Sequence, residues 1–229
     1  MFTGIVSGCF TVSRVMREID LIDYEVTLSP ALVAGLVIGA SVAIDGVCQT
    51  VVELSDTAAS FQAIAETLSK TTLSDLRVGR QVNVERSVRF GEEIGGHVIA
   101  GHVFETGTVV SLDTRPSTKL LSNKNQSLAL TIQCSTACIP YLYEKGFIAV
   151  DGASLTVGPV DLTHARFTVY LIPETLRRTT LAQKKVDDKV NLEIDDKTRI
   201  IVDTFQARFS HLEARLAVLE QALKACFHS

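Results

Sequence analysis

The chain writes one module twice. The run Ala43-Ile44-Asp45-Gly46-Val47-Cys48-Gln49-Thr50-Val51 returns as Ala149-Val150-Asp151-Gly152-Ala153-Ser154-Leu155-Thr156-Val157. Glu66-Thr67-Leu68 with Thr71-Thr72-Leu73 returns as Glu174-Thr175-Leu176 with Thr179-Thr180-Leu181, and Val82-Asn83-Val84-Glu85 as Val190-Asn191-Leu192-Glu193. Order and nearly all spacings survive, apart from a small insertion before Glu174. Such agreement marks a duplicated structural unit. Gly4-Ile5-Val6 with Thr11-Val12 lines up with Gly101-His102-Val103 with Thr108-Val109 at one constant offset, which carries the repeat to the chain start. Two copies offer two similar pockets, an arrangement suited to chemistry that joins two copies of one molecule.

Within each copy the sequence alternates with period two. Ser41 to Ile44 and Val47 to Val52 flank Asp45-Gly46, and Phe147 to Val150 and Ser154 to Val157 flank Asp151-Gly152. Asp-Gly between alternating runs is a strong two-residue hairpin signal, because both turn positions need φ > 0. Gln81 to Glu85 and Lys189 to Glu193 alternate again. Glu-Thr-Leu followed by Thr-Thr-Leu predicts a short helical turn capped by threonine. Several short strands with few helical stretches predict an all-β chain of two small antiparallel barrels. Each repeat unit runs from a strand opened by its glycine, Gly4 or Gly101, to the Asn-Val/Leu-Glu strand, roughly 1–90 and 98–195, and the expected domains are 1–97, 98–200 and a helical 201–229. Asp113 to Gln126, rich in Ser, Thr, Lys and Asn, reads as an exposed hairpin loop. Val202, Phe205, Phe209, Leu212, Leu216, Leu219, Leu223 and Cys226 then recur at spacings of three and four, a heptad seam. The seam fits a helix lying on its own barrels or one packing against copies of itself. Its narrowness favours the second and predicts an oligomer.

Composition removes other classes. With 229 residues, 46% hydrophobic and 21% charged, the chain reads as globular. Lys plus Arg (22) against Asp plus Glu (26) gives a net charge of −4, against a nucleic-acid binder. Apolar runs are too short to span a bilayer, and the Met1 end carries no export signal. Five cysteines without framework spacing fit a reducing, cytoplasmic setting.

Two places could carry chemistry. Cys48 follows the first hairpin turn, with Ser41 and Thr50 on the same hairpin; the second copy offers Lys145, Ser154 and Thr156. A cysteine there can be a small hydrophobe, or a nucleophile or proton relay once its pKa is tuned. Gly95-Gly96-His97 through Gly101-His102 pairs close-approach glycines with two histidines, each able to serve structure or proton transfer. The histidine spacing does not match a zinc helix, and Cys134 with Cys138 adds no convincing ligand set. No phosphate loop of the P-loop or dinucleotide kind is present.

Met1-Phe2-Thr3-Gly4-Ile5-Val6, Asp45-Gly46-Val47-Cys48, Gly95-Gly96-His97 through Gly101-His102-Val103, and Asp151-Gly152-Ala153-Ser154-Leu155-Thr156-Val157 together resemble the riboflavin synthase family, alpha-chain type, over roughly 1–205. The resemblance implies two six-stranded Greek-key barrels, a C-terminal helix holding a homotrimer, and no cofactor or metal. It implies a dismutation: one 6,7-dimethyl-8-ribityllumazine gives a four-carbon unit to another, yielding riboflavin and 5-amino-6-(ribitylamino)uracil. Each barrel is expected to hold one lumazine, and the first barrel of one subunit to face the second barrel of a neighbour. Orienting two bound substrates removes roughly 7–11 kcal/mol of encounter cost.

Carried over by motif, Cys48, Ser41 and His102 line the first-barrel half, and Lys145, Ser154, Thr156 and Asp195 the second. His102 with Ser41 is expected to help deprotonate the 7-methyl group of one lumazine, while Cys48, or a water it orients, adds to the other. Backbone of Gly4 to Val6 and Gly101 to Val103 is expected to hold the heterocycles. Glu66-Thr67 and Leu171-Ile172-Pro173-Glu174-Thr175-Leu176 are expected near the ribityl chains. Two substrate positions depart from the family pattern: Gln49 replaces the usual leucine beside Thr50, and Gln62 an acidic residue. The rival reading is a non-catalytic lumazine- or flavin-binding protein built on the same double barrel.

Overall fold

The computed structural model of the chain describes residues 1–116 and 126–227. The first copy contributes β1 (Gly8–Arg17), β2 (Leu21–Thr27), α1 (Pro30–Val33), β3 (Ser41–Ile44), β4 (Val47–Leu54), β5 (Ala58–Ile64), α2 (Ala65–Lys70) and β6 (Gln81–Arg86). Its strands close into a barrel in the order β1-β2-β5-β4-β3-β6. The second contributes β7 (Glu105–Pro116), β8 (Gln126–Gln133), β9 (Phe147–Val150), β10 (Ala153–Asp161), β11 (Arg166–Leu171), α3 (Pro173–Arg178) and β12 (Lys189–Ile194), closed in the equivalent order. These are the two antiparallel barrels expected from the repeat, each with the six strands that the family resemblance implies.

Period-two alternation fills each barrel. Val47, Gln49 and Val51 of β4 point in, while Cys48 and Thr50 point out. Tyr24, Phe61 and Ile44 are fully buried in the first core, and Phe167, Leu130 and Ile132 in the second. Both turns are left-handed at each central residue: Asp45 φ 45°, Gly46 φ 79°, Asp151 φ 44° and Gly152 φ 81°. The threonine caps form as expected, Thr71 accepting from Leu73 N–H and Thr179 from Leu181 N–H.

The two hairpin turns meet back to back. A Cβ on Gly46 would lie 2.6 Å from the Gly152 nitrogen, so only glycine permits the approach. Around this contact the repeated asparagines cross between barrels. Asn83 Nδ2 donates to the Asp151 carbonyl (2.8 Å), and its Oδ1 accepts from Thr180 N–H (2.8 Å). Asn191 mirrors it with the Asp45 carbonyl (2.8 Å) and Thr72 N–H (2.8 Å). Arg80 pairs with Asp45 (2.9 Å) and Lys184 with Asp151 (2.8 Å). Burial, then the Asp151 charge, pushes the Asp45 carboxyl up to about 6 despite Arg80 and Lys184.

Gly4 and Gly101 do not begin strands, as the repeat alignment had implied; β1 starts at Gly8 and β7 at Glu105. Positive φ at Gly4 (75°) and Gly101 (82°) instead turns two irregular leading segments across to the opposite barrel. Phe2 and Ile99 bridge antiparallel (2.7 and 3.0 Å) and pack with Ala43 and Ala149. Burying Phe2 alone stabilises by about 1.5–3 kcal/mol. Val6 enters the second barrel's core, and Val103 packs against the first. The repeated glutamates anchor the crossings: Glu85 accepts from Thr3 N–H (2.7 Å) and Gly4 N–H (3.1 Å), and Glu193 from Ala100 N–H (2.7 Å) and Gly101 N–H (3.0 Å). The expected boundary at 97/98 therefore falls inside a crossing segment.

Asp113 to Pro116 are not loop but the end of β7, paired with Gln126 to Ala129; residues 117–125 of the expected loop lie outside the described residues. Residues from Asp196 form a separate unit, α4 (Asp196–Phe227), which begins before the expected position 201. On α4 the side chains of Phe205, Phe209, Leu212, Leu216 and Leu219 are exposed. Those of Leu223 and Cys226 lie outside what is described. Among the described residues no helix is long and apolar enough to cross a membrane.

Candidate active site

Register places the chemistry-bearing residues on the outer face of each hairpin. Ser41↔Thr50 and Ala43↔Cys48 set Ser41, Ala43, Cys48 and Thr50 together on β3–β4. Phe147↔Thr156 and Ala149↔Ser154 do the same on β9–β10. Beside each hairpin a ladder stops short. The β4–β5 ladder runs from Leu54↔Ala59 through a bulge to Val51↔Phe61, and β10–β11 from Asp161↔Arg166 through a bulge to Val157↔Val169. Beyond these points Val47–Thr50 pair with β3, and Gln62–Ile64 with β2.

The backbone at each split faces outward. Cys48 N–H points away from β3 and donates to the Gly101 carbonyl (2.9 Å); Ser154 N–H donates to the Gly4 carbonyl (2.9 Å). Hydrogen-bonded and non-bonded pairs alternate along an antiparallel ladder, so Thr50 and Thr156, two residues on, turn their N–H and C=O the same way. Exposed apolar side chains rim these edges, Ile64 beside one and Phe147, Tyr170 and Ile172 beside the other. A peptide donor–acceptor pair framed by apolar surface suits a flat heterocycle with an amide edge.

Glycines let the crossing segments lie directly on the candidate nucleophiles. A Cβ on Gly101 would sit 2.6 Å from Cys48 Cβ, and one on Gly4 would sit 2.5 Å from Ser154 Cβ. His97 completes the second half. Its Nδ1 lies 2.7 Å from Ser154 Oγ, and its ring stacks on Phe147 at 5.1 Å between centroids. Burial lowers the His97 pKa while the Asp195 charge opposes that shift. The imidazole is therefore neutral near pH 7, and Nδ1 can accept the Ser154 hydroxyl proton. The sequence singles out His97 with its glycines, but the family motif assigns the proton-transfer role to His102 instead. The preceding Gly96 was the signal, since a Cβ there would lie 2.6 Å from Ser154 Cβ.

The remaining expected residues divide by face. His102, exposed, follows Gly101 on the Cys48 side; half-exposed Ile5 holds the matching place after Gly4. Lys145, exposed, adopts φ 69° where the first copy has Gly39 at 88°. Asp195 is half-buried after β12. Gln49 points into the barrel, where Oε1 accepts from Tyr24 O–H (3.1 Å) and Nε2 donates to the Cys48 carbonyl (2.9 Å). Leu155, Leu171, Val6 and Val103 likewise give their side chains to the cores. Gln62 is exposed and donates to Asp23 (3.3 Å). On α2, Glu66 pairs with Lys70 (3.0 Å) and the Thr67 carbonyl accepts from Thr71. On α3, which starts at Pro173, Glu174 pairs with Arg177 and Arg178, which hold its carboxyl below the usual range. The Thr175 carbonyl accepts from Thr179, and Leu176 packs on the second core.

The family model of the lumazine binding domain matches residues 3–87 and again 100–195. The chain is 44% identical over 206 residues to riboflavin synthase of Escherichia coli (strain K12), covering 90% of this chain and 92% of that protein. It is 40% identical over 204 residues to riboflavin synthase of Chlamydia pneumoniae, covering 89% and 94%. Among solved structures, LumP complexed with riboflavin shares the fold with a TM-score of 0.75 at 20% identity, covering 85% of this chain and 100% of that chain.

Proposed function

The chain belongs to the riboflavin synthase family of paired lumazine-binding domains, and we propose that its two hairpin splits are the half-sites in which two 6,7-dimethyl-8-ribityllumazine molecules exchange a four-carbon unit. The observation that carries this reading is the repetition of one geometry with different chemistry. Each barrel offers an exposed peptide edge at Thr50 or Thr156 beside an apolar rim, but one split is headed by Cys48 and the other by Ser154 with His97. Two identical substrates thereby meet different neighbours, as a donor and an acceptor require.

In the proposed sequence, neutral His97 draws on the Ser154 hydroxyl and can hold the proton released when a 7-methyl group ionises; Asp195 stabilises the imidazolium that results. His102 and Ser41 stand on the Cys48 side, where a thiolate or a water it orients adds to the second lumazine and makes it the four-carbon donor. The atoms of two substrates equal those of riboflavin plus 5-amino-6-(ribitylamino)uracil, so the sum reaction needs no oxidant or reductant. The ribityl chains run toward α2 and α3, where Glu66, Thr67, Glu174 and Thr175 offer polar groups.

Both splits are open surface, and neither of two cavities of about 910 and 580 Å³ is lined by Cys48 or Ser154. A completed site therefore calls for a second chain, with the first barrel of one subunit facing the second barrel of another in a cytoplasmic homotrimer joined through α4. Cys48→Ala should leave lumazine binding within a few-fold while turnover falls by about 10²-fold or more. Unchanged turnover would remove Cys48 from the reaction, and a binding-only protein would show no turnover in either form.

A further inference from the structure

Strand pairing brings a second cluster together from residues far apart in the sequence. Glu105 opens β7, Cys134 directly follows β8, and Cys138 lies in the turn beyond, where Cys138 N–H and Ile139 N–H both donate to the Ser135 carbonyl (3.2 Å each). That helical turn folds residue 138 back over 134, and strand pairing brings Glu105 alongside. One ligand atom from each of the three lies within 4.8 Å of the other two. The expectation that Cys134 and Cys138 lack a ligand set came from the two cysteines alone; the third member is supplied by the fold.

We propose that Glu105, Cys134 and Cys138 form a binding site for a thiophilic divalent cation, zinc in the first instance, with the fourth position left to water. Tetrahedral zinc, with bonds of about 2.3 Å to sulfur and about 2.0–2.2 Å to oxygen, sets its ligand atoms about 3.6–3.8 Å apart, within reach of small side-chain rotations from the observed grouping. Two thiolates and one carboxylate select zinc-like ions over magnesium or calcium. The carboxylate is already aimed: Glu105 Oε1 accepts from Ser135 N–H (2.6 Å) and Oε2 from the Ser135 hydroxyl (2.5 Å). Such support of a ligating oxygen is what orients metal ligands. Cys138 is fully buried and Cys134 nearly so, its sulfur 3.5 Å from the Ala165 carbonyl. Neither cysteine belongs to the β3–β4 or β9–β10 hairpin that carries Cys48 or Ser154, so the site is assigned as a clamp on the β7–β8 end of the second barrel rather than part of the reaction. Binding replaces the two thiol protons and releases them to solvent, with no change of oxidation state.

The test is titration of the reduced, chelator-treated full chain with Co²⁺ alone, read by the near-ultraviolet thiolate-to-cobalt charge-transfer band. The expected result is saturation at one equivalent, displacement by Zn²⁺, an unchanged band in Cys48→Ala, and loss of the band in Cys134→Ser and Cys138→Ser. Glu105→Gln and Ser135→Ala, which keep both sulfurs, should each weaken Co²⁺ binding by about 10–100-fold. No band in the wild-type chain would overturn the site, as would a band surviving both cysteine substitutions. Undiminished affinity in Glu105→Gln, in protein shown folded by circular dichroism, would overturn the carboxylate's part in it.

Discussion

Asn83→Ala is expected to loosen the junction between the barrels at a cost that can be worked out from its contacts. Asn83 is 1% exposed and makes two 2.8 Å hydrogen bonds across the junction, to the Asp151 carbonyl and from Thr180 N–H. Alanine leaves a buried carbonyl and a buried amide without partners, each costing about 1–3 kcal/mol. The sum, about 2–6 kcal/mol, is a large share of a typical domain's 5–15 kcal/mol. Asn191→Ala should match it, because Asn191 makes the mirror pair. Asn83→Asp keeps the acceptor for Thr180 but loses the donor and adds a charge beside Asp45, so it should be at least as damaging. Urea unfolding at fixed protein concentration measures this, and the alanine variant should show a lower midpoint or a transition split into two. A loss below about 0.5 kcal/mol with a single transition would refute the idea that these asparagines join the barrels, since that is the range of an ordinary surface change.

Three further outcomes follow from the same geometry. Burial pushes the Asp45 carboxyl up to about 6 in the folded chain, against an ordinary 3.8. The folded state therefore binds the extra proton between those values, and stability should fall as pH rises through that window by about 3 kcal/mol, levelling above it; Asp45→Asn should flatten the slope in denaturation midpoints taken across pH 4–7. His97→Gln should lower turnover by about 10²–10⁴-fold with lumazine binding retained, and the wild-type acid limb should lie below the ordinary histidine value; an unshifted limb in the variant would argue against His97 as the base. If the proposed homotrimer is joined through α4, removing 203–229 should abolish it in sedimentation, and a truncated chain that sediments as a trimer would exclude the α4 seam as its cause.

Much of the architecture was legible because it is written in local pattern. Asp-Gly between period-two runs fixed both hairpins, and the placement of Cys48 and Ser154 followed from the register of those hairpins. What stayed hidden depends on long-range geometry. Gly4 and Gly101 aligned as copies of each other, yet nothing in an alignment of copies shows that each segment lies on the other copy's hairpin. Motif places Gln49 among the substrate positions beside Cys48 and Thr50, whereas parity along β4 sends its side chain inward to Tyr24. His97 has no counterpart in the first copy, so comparing repeats gave it no role. Glu105 joins Cys134 and Cys138 only through the β7–β8 pairing.

The central claim is that one chain's two unlike half-sites act on two copies of one molecule. Its most direct measurement is incubation of the purified chain with 6,7-dimethyl-8-ribityllumazine as sole reactant, following substrate and both products by chromatography. Two lumazines should disappear for each riboflavin and each 5-amino-6-(ribitylamino)uracil formed, and mixing inactive Cys48→Ala with inactive His97→Gln should restore part of the rate by pairing one intact split from each. Lumazine that binds tightly and is recovered unchanged would contradict the account.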